Sequence, residues 1–195
     1  MRFCTKQEMN EYIKGDLYRY CGKTDKRSLR RIRRSSLGFR FTYYMRKCSY
    51  ARYHKIYRYT LFPIYKTLKD RTGIKLGAEI SDLATVGKGL HIAHFGQIII
   101  HSDAVLGDNV SLSQGVTVGQ TLKDGKSFVP TVGNRVYLAP GAKVIGGISV
   151  GNNVAVGANA VVTHSLPDNA VAAGVPAKIL SMNGAGDYII NPFEE

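Results

Sequence analysis

The chain has 195 residues, with 27 Lys and Arg against 14 Asp and Glu and a formal net charge of +13. That length suits one ordinary domain or a small domain with an extension, no apolar run approaches the ~18 residues of a membrane span, and the opening "MRFCTKQEMNEYIKGD" is too polar for a secretory leader. Cys4, Cys21 and Cys48 are odd in number and lack CxxC spacing, which argues against a disulfide framework or zinc site and for free thiols in a reducing compartment, so a cytoplasmic location is expected.

Residues 1–78 hold 21 Lys and Arg against 5 Asp and Glu, whereas residues 79–195 hold 6 against 9. The first region has helix-like apolar spacing, as in Met9, Tyr12 and Ile13 or Leu61, Ile64 and Leu68, and predicts three or four helices. Pro63 is expected in a first turn or at a kink, and Gly73 as a helix stop. From residue 27 to 59, Arg and Lys interleave with Tyr and Phe. One reading is solvated helix faces whose aromatics pack on the rest of the molecule. The other is peripheral binding to anionic membrane through that stretch, at the inner face of the membrane. No recognition motif for nucleic acid appears, and none is expected to bind.

From residue 80 an apolar side chain recurs every six positions: Ile80, Val86 and Ile92; then, after a shift of two, Ile100, Leu106, Leu112 and Val118; then, after a longer break, Val132, Leu138, Val144, Val150, Val156 and Val162. Small or β-branched residues follow four places later, among them Ala84, Ala104, Val110, Val136, Ile148 and Ala160. This period fits neither a helix nor an alternating strand. It fits a short strand and a turn repeated around a prism, three per coil, giving a mainly β, parallel β-helix preceded by a small helical region. The boundaries read from the pattern are 1–78 for the basic helical region, 79–181 for the β-helix and 182–195 for a tail without strong signal. The break "GQTLKDGKSFVPT" reads as a loop thrown out from the prism.

Three stretches resemble the hexapeptide-repeat acyltransferases, nearest to serine acetyltransferases and their polysaccharide-modifying relatives: "EISDLATVGKGLHIAHFGQIII", "VSLSQGVTVGQT" and "VGANAVVTHSLPDNAVAAGVPAKIL". The resemblance implies a left-handed prism, a homotrimer, active sites between subunits, acetyl-CoA as co-substrate and no metal. It places the general base at His94 and its carboxylate partner at Glu79, where the family normally has Asp; Asp82 is a nearby fallback. A neutral imidazole can take the acceptor's hydroxyl proton and pass it to the departing sulfur, while a carboxylate on the other ring nitrogen fixes the tautomer. His91 reads as structural or cleft-lining, and His101 as either structural or catalytic. By the same resemblance the acetyl-CoA contacts fall on Ala139, Ala158, Thr163, His164 and Lys178.

Serine acetyltransferases grip their amino acid with an Arg–His pair in the inserted loop and an acidic residue before the catalytic histidine. This chain has Phe128, Val129 and Ala93 at the matching places. A site that loses all its polar contacts loses the discrimination they gave. The sequence therefore favours a sugar hydroxyl of a bacterial surface polysaccharide as acceptor, with Phe128 and Ala93 lining its site. Serine is the alternative, and an inactive trimeric scaffold is an alternative of another class.

Overall fold

The computed structural model describes residues 3–194. Four helices, α1 (Lys6–Cys21), α2 (Lys26–Ser35), α3 (Leu37–Tyr53) and α4 (Lys55–Leu76), lead into a parallel β-helix. Side chains cap the first three in the expected way: Thr5 accepts from the Glu8 N–H, Asp25 from Arg27 and Ser28, and Ser36 from Phe39. One expectation fails in α4: the helix runs on past Gly73 to Leu76, ending at Gly77 with φ +68°. Of the two places expected for Pro63 the first turn is excluded, since the residue lies inside the helix. Gly73 is buried and serves close approach instead, since a Cβ there would stand 2.8 Å from the Ala78 carbonyl oxygen.

The prism has five coils. Coil 1 is β1 (Ala78–Ile80), β2 (Thr85–Val86) and β3 (His91–Ile92); coil 2 is β4 (Ile98–Ile100), β5 (Val105–Leu106) and β6 (Ser111–Leu112). Coil 3 opens with β7 (Thr117–Gly119), throws out the hairpin β8 (Thr121–Lys123) and β9 (Lys126–Phe128), and resumes with β10 (Thr131–Val132) and β11 (Tyr137–Leu138). Coil 4 is β12 (Lys143–Ile145), β13 (Ser149–Val150) and β14 (Ala155–Val156), and coil 5 is β15 (Val161–Val162), a bridge from Leu166 to Val150, and β16 (Val171–Ala173). β17 (Lys178–Ser181) turns back antiparallel to β16. Stacking the coils makes three parallel faces: β1-β4-β7-β12-β15, β2-β5-β10-β13 and β3-β6-β11-β14-β16.

Every leading residue of the six-residue period, from Ile80 to Val162, is buried in one core. Of the residues four places later, Ile148 alone among those named above is only partly buried. The shift of two between Ile92 and Ile100 has a local meaning: the extra residues swell the corner 93–97, which carries His94 and leaves Phe95 74% exposed.

Coil 1 presents unpaired edges on all three faces, the place where a solenoid needs a cap. The helices supply it with side chains. Arg46 donates to the Val86 and Gly87 carbonyls at 2.7 and 2.6 Å, and Arg19 to the Gly89 carbonyl at 2.7 Å and Ser111 Oγ at 2.8 Å. Asp16 accepts from the Leu90 N–H, and the Tyr20 hydroxyl both accepts from the Ile92 N–H at 2.9 Å and donates to its carbonyl at 3.1 Å. Lys69 and Ser49 donate to the Ile80 and Asp82 carbonyls. Guanidinium groups suit this work because each carries five donors in a fixed fork. The tail is tied down as well: Tyr188 stacks on Tyr137 at 4.6 Å, Arg19 Nε donates to the Ile190 carbonyl, and Asn109 exchanges two hydrogen bonds with Phe193.

Candidate active site

The corner between the β3 face and the β1 face gathers several of the candidates. Register pairs Ile92 with Leu112, Leu138 and Val156 in successive coils, and the ladder continues through Ala93, Ser113, Ala139 and Gly157. The next residues, His94, Gln114, Pro140 and Ala158, therefore mark one edge. At about 4.8 Å per coil, His94 and Ala158 are roughly 14 Å apart along it. Ala139 is buried within this edge, while Ala158 is exposed. His94 and Ala93 are exposed and line a cavity of about 360 Å³ with Ser35, Ser36, Leu37 and Phe95, at the junction of α2 and α3.

Glu79 lies in the middle of β1, paired with Ile99, and its exposed side chain lines a different and larger groove of about 930 Å³ between α4 and the prism. Among the described residues it makes no hydrogen bond or ion pair with His94. The structure thus does not join the proposed base and its carboxylate within one subunit. Asp82 lines the same groove but is committed elsewhere: Arg52 Nε stands 2.5 Å from it and Lys69 Nζ 3.6 Å. Burial raises its carboxyl, and the Arg52 hydrogen bond with the Lys69 and Arg52 charges outweighs this, so its pKa is net lowered. Glu79 is the carboxylate that remains available.

Of the other histidines, His91 packs its ring 4.6 Å from that of Tyr20 under α1. Burial, then the charges of Arg19 and His94, lowers its pKa to about 4, so it stays neutral near pH 7. Packed on Tyr20 and outside the residues that line the His94 cavity, it fits the structural reading of the two. His101 shares the groove of Glu79, and its Nδ1 accepts from the Asp103 N–H at 3.1 Å.

The remaining candidates divide between two edges. Thr163 and His164, hydrogen-bonded to each other at 3.1 Å, follow β15 at the corner between the β1 and β2 faces, away from Ala139 and Ala158. The inserted hairpin rises from that same corner, turning at Asp124 and Gly125, both with positive φ. Phe128, 42% exposed, rests over Gly147, where a Cβ would meet its own Cβ at 3.0 Å. Phe128 therefore does not share the His94 cavity within a subunit. Lys178 is exposed on β17.

Sequence reasoning missed Gln114. Its Oε1 is the one buried side-chain nitrogen or oxygen without a hydrogen-bond partner among the described residues. It sits on the edge next to His94, where Gly96 approaches it and the Gly141 N–H binds its carbonyl. The residue is plain to see in "VSLSQGVTVGQT", but its alignment with His94 needs the two-residue swelling to be placed. A buried acceptor left unmade is costly, and a ligand N–H or O–H would satisfy it.

A model of the bacterial transferase hexapeptide (six repeats) matches residues 130–164. Serine acetyltransferase of Staphylococcus aureus strain Mu50 is 36% identical over 131 residues, 67% of this chain and 62% of that protein, and the Staphylococcus xylosus enzyme is 35% identical over the same length. The chain thus spans about 62% of the length of these curated relatives. Among solved structures, serine acetyltransferase from Brucella abortus strain S19 superposes with a TM-score of 0.73 at 27% identity, over 92% of this chain and 71% of that one. The same protein in complex with coenzyme A gives 0.70 at 28%, over 90% and 67%. The fold and the six-residue repeat are those of the hexapeptide-repeat acyltransferases, the family the chain resembles. Within that family, its likeness is to the serine acetyltransferases.

Proposed function

We propose that the protein is an acetyl-CoA-dependent O-acetyltransferase. The observation that carries this reading is the single edge on which His94, Gln114, Pro140 and Ala158 stand in line. A histidine at the head of an open track of mostly small residues, with an unpartnered acceptor beside it, fits an amide-bearing acyl donor lying along the prism. Acetyl-CoA supplies the acyl group as a thioester. Ala139, Ala158 and Gln114 would hold its arm and Lys178 its more distant parts, while Thr163 and His164, at the other corner of the β1 face, would meet it from a neighbouring subunit. His94 takes the hydroxyl proton of the acceptor as its oxygen attacks, then protonates the leaving sulfur. The hydroxyls lining the His94 cavity, Ser35 and Ser36, are engaged with the Arg31 carbonyl and the Phe39 N–H, so this reading takes transfer as direct, without an acyl-enzyme.

In this reading Glu79 orients His94 across an interface, with the carboxylate of one subunit approaching the histidine of the next in a homotrimer. The separate clefts of the two residues support this, as do the exposed Phe95 and Ile99 beside those clefts. Light scattering should give three subunits; a monomer at micromolar concentration would remove the shared site.

The sequence favours a sugar as acceptor, but the names of the relatives point to serine, which becomes the first acceptor to test. The sugar remains as a second reading because Ala93, beside His94, carries no charge, and Phe128 and Val129 offer none in the hairpin. Thiol release from acetyl-CoA with serine, and with a panel of nucleotide sugars and oligosaccharides, separates the two. If no acceptor in either group brings about thiol release, the scaffold reading stands.

A further inference from the structure

Between Lys26 and Lys69 the chain holds fourteen Lys or Arg and no Asp or Glu. Several of these are used internally. Arg46 belongs to the buried cap, Arg52 and Lys69 hold Asp82, Lys66 pairs with Asp70, and Arg33 lies over the Tyr43 ring. Others face outward, including Arg30, Arg31 and Arg34 on α2 and Lys55 and Arg58 at the start of α4.

The start of α4 differs from the rest of the helical layer. Residues 55–60 are exposed without interruption, and within them only Tyr57, 37% exposed, turns back toward the Tyr50 and His54 rings. Ile56 is 75% exposed, Tyr59 80% and Ile64 54%. Ile56 and Tyr59, three apart, share one stripe of the helix, and Lys55 and Arg58 form the stripe beside it. The prism core has no use for these side chains, yet the chain keeps them apolar and flanks them with cations.

We propose that this end of α4 docks on an anionic membrane leaflet, with Ile56 and Tyr59 entering the headgroup zone and Lys55 and Arg58 meeting lipid phosphates. Nucleic acid would account for the charge but not for a nearly bare isoleucine. A second copy would account for the isoleucine, but meeting the same surface on that copy would set cations against cations, and the trimer contact proposed above is placed at Phe95 and Ile99 rather than here. A leaflet satisfies both features, because amphipathic rings and apolar side chains settle at the interface while basic side chains reach phosphate. Each basic residue near such a surface raises partitioning by about fivefold, and the attraction falls away over a Debye length. The proposal does not depend on the acetyltransferase reading.

The test is sedimentation of the full chain with phosphatidylcholine vesicles, with and without phosphatidylserine at about a third of the lipid, at low and high salt. Binding is expected only with phosphatidylserine, and high salt should weaken it at least tenfold. The exposed pairs Ile56→Ser with Tyr59→Ser, and Lys55→Ser with Arg58→Ser, should each lower binding about tenfold or more, with unchanged circular dichroism and melting. No binding to anionic vesicles at low salt overturns the proposal. So does equal binding by the Ile56/Tyr59 variant, or displacement from vesicles by a short DNA duplex at equal phosphate. Self-association that the Ile56/Tyr59 variant abolishes, without lipid binding by the unaltered chain, would assign the surface to a second copy and also overturn it.

Discussion

Arg46 and Asp16 meet in a fully buried ion pair, with Arg46 Nε 2.9 Å from Asp16 Oδ2 and Nη2 3.0 Å from Oδ1. The pair joins α3 to α1, and both residues also bond to the first coil, at Val86, Gly87 and Leu90. Removing either partner strands a charge in a fully buried site. Asp16→Ala should cost about 3–5 kcal/mol of stability, read as a lowered urea midpoint or Tm. Replacing both residues by apolar side chains of similar volume should cost much less. An Asp16→Ala variant as stable as the parent would show that the helical cap is dispensable.

The proposed base makes a kinetic prediction. His94→Ala should lower kcat by about 10²–10⁴-fold while leaving acetyl-CoA binding nearly intact. Glu79→Gln should act in the same direction but more mildly, since it removes orientation and charge and leaves the imidazole. Asp82→Asn should behave differently. It breaks the Arg52 and Lys69 contacts and should lower Tm, with kcat within about threefold of the parent. Equal kinetic damage from Asp82→Asn and Glu79→Gln, at unchanged stability, would reverse the choice of carboxylate.

Gln114 should separate activity from stability. Gln114→Met removes a buried oxygen that has no partner among the described residues, so Tm should hold or rise. If Oε1 accepts from the acyl donor, KM for acetyl-CoA should rise by about tenfold, the worth of one hydrogen bond, while KM for the acceptor moves little. The opposite pattern would place the acceptor at Gln114.

His91 sets a pH dependence of stability. Its pKa falls from 6.5 to about 4 on folding, so between those values the unfolded chain binds the proton and the native one does not. Stability should therefore fall as pH drops from 6.5 toward 4, by up to about 1 kcal/mol per pH unit from this group alone. His91→Gln should flatten the Tm profile across that window. Asp82 acts lower down. Its depressed pKa contributes stability that is present above the ordinary carboxylate range and lost as pH falls below it.

The six-residue apolar period was sufficient for the β-helix, because a solenoid core is nearly one-dimensional. Each of the leading side chains, Ile80 through Val162, stacks on its counterpart one coil away, so burial follows from local repetition. The break after Val118 likewise announced an inserted loop, which forms the hairpin, whereas the two-residue shift after Ile92 took its meaning as a swollen corner only from the stacked coils. Helix ends were less legible in α4, where Gly73 looked like a stop but is there for close packing against Ala78. What tertiary structure alone decided is the use of the polar side chains. Arg19 and Arg46 look no different in sequence from Arg30 or Arg31, yet they are buried and cap carbonyls 70 and 40 residues away. Whether a guanidinium finds its acceptors in water or in an unpaired strand edge depends on where helices dock, which no local pattern encodes. The same holds for His94 and Glu79, fifteen residues apart in sequence but facing different clefts, and for Gln114, whose oxygen is orphaned only once the coils are stacked.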